Sequence, residues 1–388
     1  MSSSAPQRSL RWFRDHALPL WLERGLDRKR GGFFEALDHE KVGNTANFRR
    51  LRVTARQIYA FCAAVRLGVS DAREGVDHGL DFLLGPARHL EWGFANKFDL
   101  DGRITDDCRD LYDLAFVLFA LAHAHDVTRD PVLREEAEAL LRDIRTHLHH
   151  PAGGFEEAAP PRQPRRQNPH MHLLEACLAW TRQAPGSLFE TEAKALLDLF
   201  SKKLFQAETG ALPEYYTGDW SILSSDGHVA TEPGHHFEWA WLLHEAHQMG
   251  LLPATHIAVG PLYDFAKRYG VDAKTGLPLG EVSTQGRALN RSVRLWPATE
   301  WTKAEIVHSV ASGGSETRVE TAWSAVEHFL NAAPSGLWHE VWSPDDGFLP
   351  GPSPASSLYH ITMAIEVMQA ANNPLPMAER SIPSKVTA

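Results

Sequence analysis

Cysteine is scarce in this chain: 388 residues hold three, Cys62, Cys108 and Cys177. Odd in number and far apart, they argue against a disulfide framework and read as reduced thiols in or near a core. No stretch approaches 18 uninterrupted apolar residues, so no transmembrane helix and no membrane partner are expected. The opening MSSSAPQRSLRWF lacks a basic segment followed by an apolar run, which predicts a chain without a secretory signal, placed in the cytoplasm. There is no lysine-rich block either. With a formal net charge of −10, the sequence excludes nucleic acid as a partner, because phosphate binding needs concentrated Lys and Arg. The one basic cluster, RQPRRQ at 162–167, reads as a solvated loop rather than a phosphate site. Neither HExxH nor a paired-cysteine pattern occurs, so no metal site is predicted.

What is present is an ordinary globular composition, 43% hydrophobic and 23% charged, with ample material for a core. The length admits one large repeat barrel or two ordinary domains. Spacing decides in favour of the barrel. Six helical stretches with polar heads recur about every 60 residues: Arg52 in LRVTARQIYAF, Tyr112 in RDLYDLAFVLFAL, His172 in NPHMHLLEACLAW, His235 in EPGHHFEWAWLL, Trp296 in RLWPATEW and His360 in SLYHITMAI. Each unit has room for two helices. With one helix of each pair in an inner ring and one in an outer ring, the six heads gather at one mouth of a closed barrel. Between them lie Gly- and Pro-rich punctuations carrying short aromatic pieces, which predict hairpins and long loops over that mouth. Pro131 suits the start of an outer helix, since its missing N–H is not needed there. Residues 1–372 are expected to form the single barrel, and 373–388, polar and aperiodic, a loose tail.

The polar heads carry the chemistry. Asn168, His172 and Glu175 share one helical face behind Pro169. A satisfied core imidazole would be the plainer account of His172, but the repeat places it at the mouth. His235 and Glu238 stand three apart, where a carboxylate orients an imidazole and raises its basicity; His236 projects elsewhere. HMH at 170–172 and HH at 235–236 invite a metal, yet spacings of one and two point to different helix faces. Arg52 and Arg56 share a face with Tyr59, and an arginine offers a fork of donors to sugar hydroxyls or an enolate oxygen, although Arg56 also suits pairing with a helix carboxylate. Trp296 and Glu300 repeat the four-residue spacing, and an indole covers the apolar face of a sugar ring. His360 follows the small residues GPSPASS. Three histidines converging from separate units suit proton transfer on a small polar substrate.

In these motifs, and in WLERGLDRKRGGFFEALD, DGRITDDCRDLYD and LWHEVWSPDDG, the chain resembles the N-acylglucosamine 2-epimerase superfamily over nearly its whole length. The resemblance implies an all-α (α/α)6 barrel of twelve helices. It also implies catalytic roles for His172, His235 and His360 and substrate-binding roles for Arg52, Tyr112, Asn168, Glu238, Trp296 and Glu300. Ser356, Ser357, Leu358 and Tyr359 before the last histidine look like the isomerase branch rather than the cellobiose or acylglucosamine epimerases. No ATP-binding motif is present and no cofactor is expected. The activity so implied is interconversion of a free monosaccharide aldose and ketose, D-mannose and D-fructose, by a monomer or homodimer. In this expectation His360 takes the proton on carbon 2, Glu238 orients His235 as acid or base, His172 assists ring opening and Arg52 faces the cis-enediolate. A 2-epimerase is the nearest rival. A glycoside hydrolase would need two carboxylates facing across the bond, and a sugar-binding module would have no use for three histidines.

Overall fold

The chain opens on two helical pieces, α1 (Ala5–Trp12) and α2 (Leu18–Arg24), joined through a π-helical turn at Phe13–Ala17. In this computed structural model, residues 3–40, 43–252, 258–312 and 316–372 are described. Helices then alternate. One series is α3 (Leu51–Arg66), α5 (Leu111–Thr128), α7 (Gln167–Gln183), α9 (Pro233–Gln248), α11 (Leu295–Ser312) and α13 (Leu358–Asn372); between them run α4 (Arg73–Leu84), α6 (Pro131–His147), α8 (Leu188–Leu199), α10 (Val259–Phe265) and α12 (Glu316–Asn331). The first series packs in chain order, α3 on α5, α5 on α7, α7 on α9, α9 on α11 and α11 on α13, and α13 returns to α3. That is a closed inner ring of six. Each of α4, α6, α8, α10 and α12 packs outside the inner helix before it, and α1 packs on α13. The outer partner of the last inner helix therefore comes from the start of the chain, and the architecture is an all-α (α/α)6 barrel.

Sequence explains which helix goes where. α5 is apolar on all sides and buries every residue from Leu111 to Ala122 except Tyr112 at its head, as an inner helix flanked by neighbours must. α6 is amphipathic and buries only the stripe Leu133, Ala137, Leu140, Leu141 and Ile144. It begins at Pro131 behind the cap Asp130, whose side chain accepts from the Val132 amide. The N-terminal helix is fixed on the far side of the ring. Trp21 stacks on Trp338 at 5.2 Å and donates to the Gly336 carbonyl, while Gln369 donates to the Pro6 carbonyl.

Short strands form hairpins, Lys97–Asp99 with Ile104–Asp106, Glu281–Ser283 with Ala288–Asn290 and Val341–Ser343 with Gly347–Phe348, and other pairings tie one unit to the next. Phe48–Arg50 pairs with Lys97–Asp99, Arg109–Asp110 with Ala158–Ala159, Arg165–Arg166 with Tyr215–Tyr216, Ala230–Thr231 with Glu281–Ser283, and Val293–Arg294 with Val341–Ser343. The sixth pair, Ser353–Pro354 with Ala36–Leu37, joins the last unit to the first. Every one of these sheets feeds directly into an inner helix or receives the loop before the next. The strands are what bring the six helix starts to a common level.

One expectation fails in part at this level. The RQPRRQ segment is a solvated loop only in its first half: Arg162, Gln163 and Pro164 are exposed, whereas Arg165 is fully buried. It donates to the carbonyls of Gly153, Phe155 and Gly218 and lies 3.6 Å over the Trp220 ring. A guanidinium with five donors satisfies converging loop carbonyls, which a sequence stretch cannot reveal. The expected tail at 373–388 lies outside the described residues. Of the cysteines, Cys62 and Cys177 are buried and Cys108 is half-buried, all with free thiols.

Candidate active site

The six helix starts bring their side chains into one continuous set of contacts. The Arg52 guanidinium lies 5.2 Å from the Tyr112 ring, and Tyr112 meets the His172 ring edge-on at 5.0 Å. On the other side the Trp296 indole lies between His235, at 5.0 Å, and His360, at 5.6 Å. Tyr359 closes the circuit: its ring is 4.6 Å from His360 and 5.1 Å from the Arg56 guanidinium, and Arg56 donates to the Tyr112 hydroxyl. Room for the indole is made by Gly234, where a β-carbon would stand 2.5 Å from the Trp296 ring.

Each of the three histidines is buried and holds a carboxylate on Nδ1. His172 pairs with Glu175 at 3.0 Å, His235 with Glu214 at 3.0 Å and His360 with Glu300 at 2.9 Å. A carboxylate accepts only, so each Nδ1 carries a proton and each Nε2 is left for the site. Among the described residues no protein group hydrogen-bonds to Nε2 of any of the three. Their charge states diverge. Burial opposes charge on His235, but Glu214 and then Glu232 outweigh it and raise the imidazole to about 10. Burial holds His172 down to about 4 against the pull of Glu175. His360 is pushed well below the ordinary range, by burial and then by the Arg56 and Lys303 cations. At neutral pH the site therefore presents an imidazolium and a neutral imidazole on the two sides of one indole.

The expected orienter of His235 is corrected. Glu238 does not touch His235; it lies 3.8 Å from His172 Nδ1, and neither of its oxygens has a hydrogen-bond partner. Three residues apart on a helix gives a shared face, but here the imidazole turns toward the loop carboxylate instead. Burial, reinforced by Glu300, lifts the Glu238 carboxyl well above its usual range. Arg56 differs from expectation too. It is Arg52 that pairs with a carboxylate, Asp113 at 2.7 Å, while Arg56 is buried and faces the rings of Phe116, Tyr359 and Tyr112. Asn168 keeps a buried amide oxygen without a partner, as a group that faces a ligand would.

Sequence reasoning missed Glu214, Lys303 and the hydroxyl of Tyr359, which donates to both Glu175 oxygens. For Glu214 a signal exists. Glu35, Glu157, Glu214 and Glu340 each follow a glycine by three or four residues, one or two repeats apart. Glu35 and Glu157 accept from the backbone amides of Arg50 and Arg166, each directly before an inner helix, and Glu214 accepts from that of Glu232. The HMH and HH pairs also resolve. His170 and His236 accept from the amides of Phe155 and Leu212 at Nε2, and their Nδ1 atoms bond the carbonyls of Arg166 and Glu232. They clamp loops to helix starts and have no free nitrogen for a metal.

Among the described residues two trios bring donor atoms within 4.8 Å of one another: His172, Glu175 and Glu238, and Glu214, Glu232 and His235. Metal ligation needs deprotonated donors. In each trio the imidazole nitrogen that faces the carboxylates is already bonded to one of them, His172 Nδ1 to Glu175 and His235 Nδ1 to Glu214, both at 3.0 Å. The donor chemistry of both trios fits proton transfer better than a cation.

Comparison with known proteins gives a consistent result. The family model described as N-acylglucosamine 2-epimerase (GlcNAc 2-epimerase) matches residues 32–364. A Rhizobium meliloti (strain 1021) protein named mannose-6-phosphate isomerase is 36% identical over 372 residues, covering 91% of this chain and 94% of that protein. A D-mannose isomerase of Thermobifida fusca is 26% identical, over 75% of this chain and 77% of its own length. Among solved structures, the cellobiose 2-epimerase of Spirochaeta thermophila DSM 6192 superimposes with a TM-score of 0.84 at 22% identity, covering 95% of this chain and 96% of that one.

Proposed function

The chain belongs to the N-acylglucosamine 2-epimerase family, and on that premise we propose that it interconverts a free aldose and ketose, D-mannose and D-fructose, by histidine acid/base catalysis through a cis-enediolate. One observation carries the reading: His360 favours the neutral form and His235 the charged form, on either side of Trp296. Paired groups whose surroundings drive their proton affinities apart divide into base and acid. The linear sugar lies between them against the indole. His360 Nε2 accepts the proton on carbon 2, which the adjacent carbonyl acidifies, and the electron pair moves into the enediolate. The His235 imidazolium meets the charge that develops on the carbonyl oxygen. Arg56, which forms no ion pair among the described residues, is better placed for that oxygen than Arg52, which is held by Asp113. His172, neutral at Nε2, serves the ring and anomeric oxygens during ring opening, and Asn168, Tyr112, Glu238 and Trp296 bind the sugar. The His235 imidazolium gives its proton to oxygen 1 and takes that of the carbon-2 hydroxyl, and returning the proton from His360 to carbon 1 then gives the ketose with both histidines restored.

Small residues favour this outcome over epimerisation. Ser356 and Ser357 leave the carbon-1 end near His360, and Ser357 turns its hydroxyl to Glu340. The name of the Rhizobium relative raises a second substrate, the 6-phosphate. Against it, the arginines about the helix starts already have carboxylates: Arg50 with Glu35, Arg166 with Glu157, Arg294 with Glu340 and Arg162 with Asp110. Apart from Arg56, which is buried against the rings of Phe116, Tyr359 and Tyr112, a phosphate dianion would have to displace one of them. Hydrolysis is disfavoured because Glu300, a candidate acid, is held by both Lys303 and His360.

The test is NMR of D-mannose incubated with the protein in heavy water, alongside mannose 6-phosphate and cellobiose. Fructose appearing first, with deuterium incorporated next to the carbonyl, is the expected result. Glucose ahead of fructose moves the assignment to an epimerase; turnover confined to the phosphate ester replaces the substrate.

A further inference from the structure

The three histidine–carboxylate pairs differ in what holds the carboxylate from behind. Glu175, behind His172, takes the Tyr359 hydroxyl. Glu214, behind His235, takes the Gln167 amide at 2.9 Å and a backbone amide. All three of these partners are neutral. Glu300, behind His360, takes the ammonium of Lys303 on Oε2 at 2.5 Å while its Oε1 faces His360. Lys303 has no exposed surface, lies 4.0 Å over the Trp241 ring and reaches the Met363 sulfur at 3.1 Å. A lysine is almost never fully buried without a task for its charge. Its partner is one carboxylate, and that carboxylate leads to one imidazole.

We propose that Lys303 is a positioning residue which, by meeting the charge of Glu300 from behind, weakens the hold of that carboxylate on a second proton at His360 and so helps fit His360 for the part of base. The physics is pairwise. A bare carboxylate next to an imidazole stabilises the imidazolium, as Glu214 and Glu232 do for His235. A carboxylate whose charge is already met by an ammonium still orients Nδ1–H but attracts a second proton weakly. Burial and Arg56 come first in holding His360 neutral, as burial does for His172 behind the Tyr359-held Glu175; the cation behind Glu300, where neutral amides stand behind Glu214, adds to that difference between His360 and His235. Other groups facing His360 act in both directions: Arg56 from α3 and His172 from α7 oppose its protonation, and Glu175 from α7 favours it. Tyr359 and Trp296 contribute rings. Arg56 remains when Lys303 is changed, so the effect of Lys303 is a displacement of the titration and not its full return to the ordinary histidine value.

The inference rests on the isomerase reading for its meaning, and the experiment separates the two. Nitrogen-15 NMR of the imidazoles in the wild-type protein, assigned with His360→Gln, needs no turnover. His360 is expected neutral with the proton on Nδ1 at pH 7, and His235 doubly protonated; an imidazolium at His360 overturns the proposal whatever the protein's activity. Lys303→Gln keeps a donor to Glu300 without the charge. It should raise the His360 midpoint by a pH unit or more, and the acid limb of kcat/KM should rise with it, since the base works only when unprotonated. Lys303→Arg should restore both. A folded Lys303→Gln protein with unmoved midpoint and limb, losing only total activity, gives Lys303 a merely structural part and overturns the inference. Should Lys303→Gln not fold, Lys303→Met, which fills a similar volume without the charge, takes its place in the same titration, and an unmoved His360 midpoint there overturns the inference. Absence of sugar turnover with the predicted imidazole titrations would overturn the functional reading and leave this one standing.

Discussion

At the scale of single residues, the imidazoles were legible in the sequence and their partners were not. His172, His235 and His360 head helices about 60 residues apart, and a repeat is visible without coordinates. Glu175 was legible as well, because i, i+3 on a helix fixes its face. Glu214 belongs to a loop, 21 residues before His235, and its approach depends on strand pairing between units. Glu238 illustrates the converse: helical spacing made it a neighbour of His235, and rotation of the ring toward Glu214 left it without a partner. The assignment has a measurable consequence. Glu214→Gln removes the main charge that supports the His235 imidazolium, so His235 should lose its proton at lower pH. If His235 acts as the acid, the basic limb of kcat/KM should move down by at least a unit, and Glu238→Gln should leave that limb near its wild-type place. Equal shifts in the two variants would return Glu238 to the orienting role. A second prediction concerns metal. Because proton-bearing nitrogens face both candidate trios, chelator-treated protein verified by elemental analysis should keep its turnover; loss on chelation with recovery on adding one divalent cation would reassign His172, Glu175 and Glu238 as ligands.

At the scale of elements, each inner helix starts at or just after a short strand, and α7 and α9 are clamped to the loops that precede them. His170 and His236 do this through backbone amides, and Arg165 through three carbonyls. These clamps look like functional residues in a sequence, since histidine pairs and arginine runs are the usual marks of sites. Their partners are backbone groups of loops 10 to 53 residues away, and backbone groups leave no sequence signal. Gly234 is where the clamp meets the site. Its missing side chain lets the α9 start approach the Trp296 indole, and a β-carbon there would fall 2.5 Å from the ring. Backbone and a packed indole give little, so Gly234→Ala should cost about 1–3 kcal/mol, the range for overpacking. It should also displace Trp296 from between His235 and His360. Raised KM together with a lowered melting temperature is the expected outcome, and an unchanged KM would mean the indole does not cover the substrate.

At the scale of the whole molecule, the ring closes only because the first helix of the chain serves the last inner helix. The six repeats were readable from their heads, yet an outer helix follows each of the first five inner ones, and the helix packed on α13 is α1 from the start of the chain. Trp21 stacks on Trp338 while Trp338 also meets Trp12 edge-on at 6.4 Å, and Arg8 pairs with Glu320 and Glu327 of α12. The sheet of Ser353–Pro354 with Ala36–Leu37 closes the same seam on the mouth side. We propose that residues 5–372 consequently unfold as one unit, with no half of the barrel stable alone, since each inner helix is buried by neighbours on both sides. Trp21→Ala tests this. It removes a fully buried indole and should cost about 3–5 kcal/mol, as large-to-small core changes do. If the seam belongs to the same cooperative unit as the site, tryptophan fluorescence, far-ultraviolet circular dichroism and loss of activity should move together to lower temperature or denaturant in this variant. A variant in which the N-terminal seam melts first while the histidine site survives would divide the barrel into separate units.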